Sequence, residues 1–215
     1  MKQTTLKKLD DLFIRYPALV SCKDSIINAA EAIINCYKNG GKVITAGNGG
    51  SAADAEHIVG ELMKGFILKR ELDDGTKAAL DKSVASETAD YLKKNLQMPL
   101  RAISLVNQIA LGTAFANDQA ADLVFAQQIL GLGDIDDVFI AISTSGNSRN
   151  IIYAAEVARA KGLTTIALTG KSGGKLKNIA DILINAPETE TYKIQELHLP
   201  IYHSLCIIAE EEIYG

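Results

Sequence analysis

The chain has no tryptophan, four prolines and only three cysteines in 215 residues. Cys22, Cys36 and Cys206 are odd in number, lie among apolar neighbours and show no C-x-x-C spacing. That argues against a disulfide framework or a thiolate metal site, and buried reduced thiols are expected. No apolar run approaches the roughly 18 residues a membrane-spanning helix requires, and no apolar region follows Met1-Lys2. The expectation is a cytoplasmic protein with no membrane partner. A long Lys/Arg run is missing too, since 22 basic and 26 acidic side chains leave a net charge of −4. Neutralising a phosphate backbone needs the opposite balance, so no nucleic-acid partner is expected.

What is present is ordinary for a soluble globular chain: 47% hydrophobic and 22% charged residues. The length suits one compact domain over 1–215, with helices over 1–40 as an appended element. Apolar spacing predicts helices over about 3–16 and 23–38, the second with Ile26, Ile27, Ala30, Ile33 and Ile34 on one face and Asn39-Gly40-Gly41 as its stop. Short apolar runs then recur at Lys42–Ala46, Ala102–Val106, Asp137–Ile142, Thr164–Leu168 and Ile182–Asn185, each followed by a small or polar loop and a helical pattern. Five such strands, apolar on both faces and joined through helices, predict an α/β fold with a parallel sheet between two helical layers.

In an open parallel sheet, ligands bind beyond the carboxyl ends of the strands. Three of the loops there are rich in small residues and donors: GNGGSAAD at 47–54, STSGNS at 143–148 and TGKSGG at 169–174. Backbone N–H groups at a helix start, joined by hydroxyls, suit a phosphate because unpaired donors and the helix dipole both favour an anion. The plainer reading of the second loop is that Ser148 caps a helix beginning near Asn150. Gly47, Gly49 and Ala52 also match G-x-G-x-x-A, but a dinucleotide site wants an acidic residue about 20 positions on. The chain is basic there, at Lys64, Lys69 and Arg70, and no G-x-x-x-x-G-K-[ST] occurs. A two-loop phosphosugar site remains.

For chemistry, His57 and Glu61 stand four apart on the helix after the first loop and share a face with apolar Ile58, Val59 and Leu62 beside them. A half-buried carboxylate is costly unless it is used or paired. A C-terminal helix running to about Glu212 carries Gln195, His198 and His203, with Pro200 placed to bend it. His198 is equally well read as a buried, hydrogen-bonded residue.

GNGGSAADAEH-x-x-x-EL, FAND at 115–118, ISTSGNS at 142–148, ALTGKSGGKL at 167–176 and IQELHLPIYH at 194–203, in this order over nearly the whole chain, resemble the sugar isomerase (SIS) family. Within it, they are most similar to the phosphoheptose isomerases. The resemblance implies a flavodoxin-like αβα sandwich with extra N-terminal helices, assembled as a homotetramer whose sites draw on neighbouring subunits. It implies aldose–ketose isomerisation of sedoheptulose 7-phosphate to a manno-heptose 7-phosphate. By motif position, Ser51, Ser143, Thr144, Ser145 and Ser148 would hold the phosphate, while Asn48, Gly49, Gly50, Asn117, Asp118 and Gln195 would lie at the sugar. Glu61 would be the base and His203 the acid, and a zinc ion is implied at His57, Glu61, Gln195 and His203.

Two positions depart from the family pattern: Tyr192 stands where the phosphoheptose isomerases carry an Asp, and Gly65 where they carry an Arg. Residues 65–98 form a longer insert than usual, expected to add a helix, and Lys64, Lys69 or Arg70 could supply the missing positive charge. The alternatives are an isomerase of another phosphorylated sugar, a phosphosugar-sensing domain, and a non-catalytic tetrameric scaffold like the relative that binds the bacterial replication initiator. That relative lacks the equivalents of Glu61 and His203, and both are kept here.

Overall fold

The computed structural model describes residues 1–215. The first two helices, α1 (Gln3–Arg15) and α2 (Lys23–Lys38), lie where the apolar spacing places them. Five strands follow, β1 (Val43–Ala46), β2 (Ala102–Ser104), β3 (Val138–Ile142), β4 (Thr164–Thr169) and β5 (Ile182–Asn185). They form one wholly parallel sheet in the order β2-β1-β3-β4-β5. The register sets Ile44 beside Phe139 and Thr45 beside Ile140.

Each inner strand sends alternate side chains into separate cores, the period of two that defines a strand. Val138, Ile140 and Ile142 enter one core with α1, α2, α3 (Gly50–Met63) and α9 (Thr191–Tyr214). Phe139 and Ala141 enter the other with α7 (Val124–Leu132) and α8 (Arg149–Ala160). The three-layer α/β sandwich expected from the sequence is therefore present. The three cysteines are free and buried, and no helix is long and apolar enough to cross a membrane.

The insert adds two helices rather than the single one expected: α4 (Asp74–Ser83) and α5 (Ser86–Asn95). Asp73 starts the first, its carboxylate accepting the Thr76 N–H at 2.7 Å. α4 buries no side chain and α5 buries only Ala89. The segment before them is anchored from inside the molecule: Glu210 accepts the N–H groups of Phe66, Ile67 and Leu68 at 2.8, 2.8 and 3.0 Å. α9 runs unbroken across Pro200. Beyond β2 come α6 (Ile109–Phe115) and a π-helical turn over Ala116–Ala120.

The strand order reverses direction between β1 and β3, the topological switch point at which open α/β sheets bind ligands. Two of the three loops singled out from the sequence, those after β1 and β3, leave the sheet there.

Candidate active site

The β1 loop reaches α3 through Gly47, Asn48 and Gly49. At Gly47 a Cβ would collide with the Ser51 carbonyl, and Gly49 has a φ of +56°, so this turn excludes ordinary side chains. Ser51 is buried in the first turn of α3, while Asn48, Gly49 and Gly50 are exposed at the crevice. The β3 loop closes on the β4 loop: Gly146 has a φ of +65°, and a Cβ there would meet the Gly173 carbonyl oxygen.

Ser148 does not cap α8. Its hydroxyl pairs with that of Ser143 at 3.0 Å, and no side chain caps the helix. The N–H groups of Arg149 and Asn150 find no acceptor in the chain, leaving an anion-ready helix start beside the hydroxyls of Thr144 and Ser145. Asn150, which sequence reasoning passed over, joins the two loops. Its amide N–H donates to Asn48 Oδ1 at 2.9 Å, and the Asn48 amide donates back to Asn150 Oδ1 at 2.9 Å. A polar cavity of about 230 Å³ opens on the β4 side, lined by Thr144, Ser145, Asn147, Lys171, Ser172 and Glu188 among others. Another cavity, about 340 Å³, lies at the insert between Lys69, Asp90 and Lys94, and of the residues named from the sequence only Lys69 and Arg70 line it.

Farther along α3, His57 and Glu61 meet His203 of α9. The His57 and His203 rings are 5.0 Å apart, edge to face. Glu61 Oε1 is 3.2 Å from His57 Nε2, and Glu61 Oε2 accepts from Lys64 Nζ at 2.6 Å. Partial burial raises the Glu61 pKa, but Lys64 and His57 together pull it below the ordinary carboxylate value. Burial, with the neighbouring His57, holds His203 below the usual imidazole pKa, so its ring is neutral at physiological pH. His203 Nε2 is buried with no hydrogen-bond partner in the chain.

Gln195 approaches α3 nearer its start, its amide nitrogen 2.5 Å from where a Cβ on Gly50 would stand. Two imidazoles, a carboxylate and an amide are a suitable donor set for zinc. Their spacing, however, is that of hydrogen-bonded partners and not of a preformed cage. Asn117 and Asp118 lie exposed on the π-turn and bond to each other at 2.8 Å, making no hydrogen bond to the other candidates. Tyr192 points into solvent, 58% exposed.

Of the three cations considered as substitutes for the family's Arg, one is withdrawn by the fold. Arg70 is buried, its Nε on Glu210 at 2.7 Å and its Nη1 on the Leu62 carbonyl at 2.6 Å. Lys69 is exposed beside Glu71. Lys64 is the one that reaches the site, and it lies on the carboxylate itself. His198 is fully buried with Nε2 3.2 Å from the Thr169 carbonyl, outside the cluster.

The SIS domain family model matches residues 18–96 and 74–170. Phosphoheptose isomerase 2 of Campylobacter jejuni is 40% identical over 190 residues, covering 88% of this chain and 81% of that one. The phosphoheptose isomerase of Akkermansia muciniphila is 35% identical over 200 residues, 93% and 92% of the two chains. Among solved structures, a phosphoheptose isomerase from Francisella tularensis superposes with a TM-score of 0.72 at 33% identity, over 94% of this chain and 98% of that one. One from Neisseria gonorrhoeae gives 0.70 at 30%, over 97% and 92%. Fold, family model and relatives agree: the chain belongs to the SIS domain family and, within it, to the phosphoheptose isomerases.

Proposed function

We propose that the protein interconverts sedoheptulose 7-phosphate and the corresponding manno-heptose 7-phosphate by moving a proton between C1 and C2. The observation that carries this reading is the pairing of an ionised Glu61 on α3, which starts in the β1 loop, with a neutral His203 on the neighbouring α9. An ionised carboxylate can take the C1 proton and return it at C2. A neutral imidazole can hydrogen-bond the carbonyl oxygen, where negative charge gathers in the enediolate.

The phosphate is held by the hydroxyls of Ser51, Ser143, Thr144, Ser145 and Ser148 and by the free N–H groups at the start of α8. Asn48, Gly49, Gly50, Gln195, Asn117 and Asp118 line the sugar. Zinc, when bound by His57, Glu61, Gln195 and His203, would polarise the carbonyl and stabilise the enediolate. The buried, unpartnered Nε2 of His203 supports that assignment.

The working assembly is a cytoplasmic homotetramer with sites completed across subunits. Helix α6 supports the assembly: it buries no side chain, leaves Ile109 75% and Leu111 43% exposed, and leads directly into Asn117-Asp118. Incubation of the purified protein with sedoheptulose 7-phosphate, followed by NMR of the sugar, tests the reading. Aldose formation is expected. Binding of a panel of phosphosugars with no isomerisation, zinc supplied, would overturn it.

A further inference from the structure

Tyr202 precedes His203 on α9, and it is 2% exposed. Its hydroxyl donates to Asp54 Oδ1 at 3.2 Å. Asp54 sits one turn ahead of His57 on α3, and its Oδ2 is buried with no partner. The same Tyr202 hydroxyl oxygen lies 2.9 Å from His57 Nδ1. A phenol has a single proton. With that proton directed to the Asp54 carboxylate, the oxygen can only accept from His57, so Nδ1 must carry a hydrogen.

We propose that Tyr202, oriented by Asp54, is a positioning residue that holds His57 with Nδ1 protonated and turns Nε2 toward Glu61. Nε2 then faces the Glu61 carboxylate at 3.2 Å. The arrangement converts His57 from a mobile surface side chain, 41% exposed, into a fixed partner of the base. A histidine whose ring orientation is set by a hydrogen bond to its other nitrogen is also how proteins prepare an imidazole to bind a metal. The role of Glu61 in this inference rests on the isomerase reading, whereas the state of the His57 ring does not.

The chain has three histidines, which makes the ring states directly readable. In ¹⁵N-histidine-labelled protein, long-range ¹H–¹⁵N spectra near neutral pH are expected to show His57 Nδ1 protonated in the wild type. In Tyr202→Phe the acceptor is gone, and His57 is expected to change to the form protonated at Nε2 alone, hydrogen-bonded to Glu61. In Asp54→Ala the freed Tyr202 hydroxyl donates to Nδ1 and drives the same change, while Asp54→Asn keeps an acceptor and the wild-type spectrum. Should Tyr202→Phe fail to fold, the two Asp54 variants decide the matter.

Turnover of the phosphosugar by Tyr202→Phe is expected to fall roughly 10- to 100-fold in kcat, with KM within about twofold because the phosphate loops are untouched. A wild-type His57 lacking a proton on Nδ1, an unchanged spectrum in both Tyr202→Phe and Asp54→Ala, or a change in KM alone would overturn the proposal. A wild-type protein that isomerises nothing would sink the isomerase reading and leave the spectra to judge the His57 state.

Discussion

Arg70 Nε donates to Glu210 Oε1 across 2.7 Å where neither side chain reaches solvent, the two being 0% and 1% exposed. The pair joins three pieces of the active-site wall. Glu210 lies two turns beyond His203 on α9. Arg70 lies in the insert and also donates to the Leu62 and Glu61 carbonyls at 2.6 and 3.3 Å, satisfying the open C-terminal end of α3. Burial raises the Glu210 pKa, but three backbone N–H groups and Arg70 pull it below the ordinary carboxylate value. Removing one partner leaves a buried charge unpaired. Arg70→Met or Glu210→Leu is expected to cost about 3–5 kcal/mol in denaturant unfolding, and the double variant to cost clearly less than the sum of the two, the N–H groups of Phe66, Ile67 and Leu68 still lacking their acceptor. A double-variant loss equal to the sum of the two single losses would contradict the pairing.

The Asn48–Asn150 bridge has a different signature. It connects the β1 and β3 loops and contributes little to the core. Asn150→Ala is expected to cost about 1 kcal/mol of stability at most while raising KM for the phosphosugar several-fold and leaving kcat nearly unchanged. Steady-state kinetics beside a melting curve separate the two effects.

The turn at Gly146 is a steric prediction. Its φ of +65° and its closeness to the Gly173 carbonyl leave no space for a methyl group. Gly146→Ala is expected to separate the β3 and β4 loops and weaken phosphosugar binding at least 10-fold by calorimetry, at a strain cost of about 1–3 kcal/mol. Tight binding by the alanine variant would show that the two loops need not close on each other.

His198 governs the acid side of the stability profile. Burial pushes its pKa down from 6.5 to about 4, the bond to the Thr169 carbonyl opposing only part of the shift. The unfolded chain takes up a proton near 6.5 and the folded one only near 4, so stability is full above about 6.5 and falls as pH drops toward 4. The loss over that window is roughly 3 kcal/mol. Denaturant midpoints measured across the window should flatten in His198→Asn. A wild-type profile with no slope there would contradict the assignment.

Much of this arrangement is legible in the sequence because it is periodic or local. The β5 run, Ile182–Asn185, coincides with its strand, and the α1 and α2 spacing needs no tertiary information. β2 ends at Ser104 although the apolar run continues to Val106, because the Ser104 hydroxyl accepts the Val106 N–H and turns the chain into a 3₁₀ turn. The insert holds two helices because Asp73 starts one and the extended Val84 and Ala85 separate it from the next. Ser148 looks like a cap from sequence, but Ser143 claims its hydroxyl, a partner visible only once the loop has folded. Tyr202, Asp54 and Asn150 carry no motif of their own. They gain meaning when α3 meets α9 and when the β1 and β3 loops meet, contacts of long sequence separation. Arg70 reads as a free cation until Glu210 is seen beside it, 140 positions away.

In the proposed reaction Glu61 moves the proton and His203 assists at the carbonyl oxygen. This assignment is tested most directly by single-turnover isomerisation of sedoheptulose 7-phosphate in Glu61→Gln and His203→Asn beside the wild type, with assembly followed by analytical ultracentrifugation. Each variant is expected to lose at least about 10²- to 10⁴-fold in rate while keeping the wild-type assembly. Wild-type rates in either variant would contradict it.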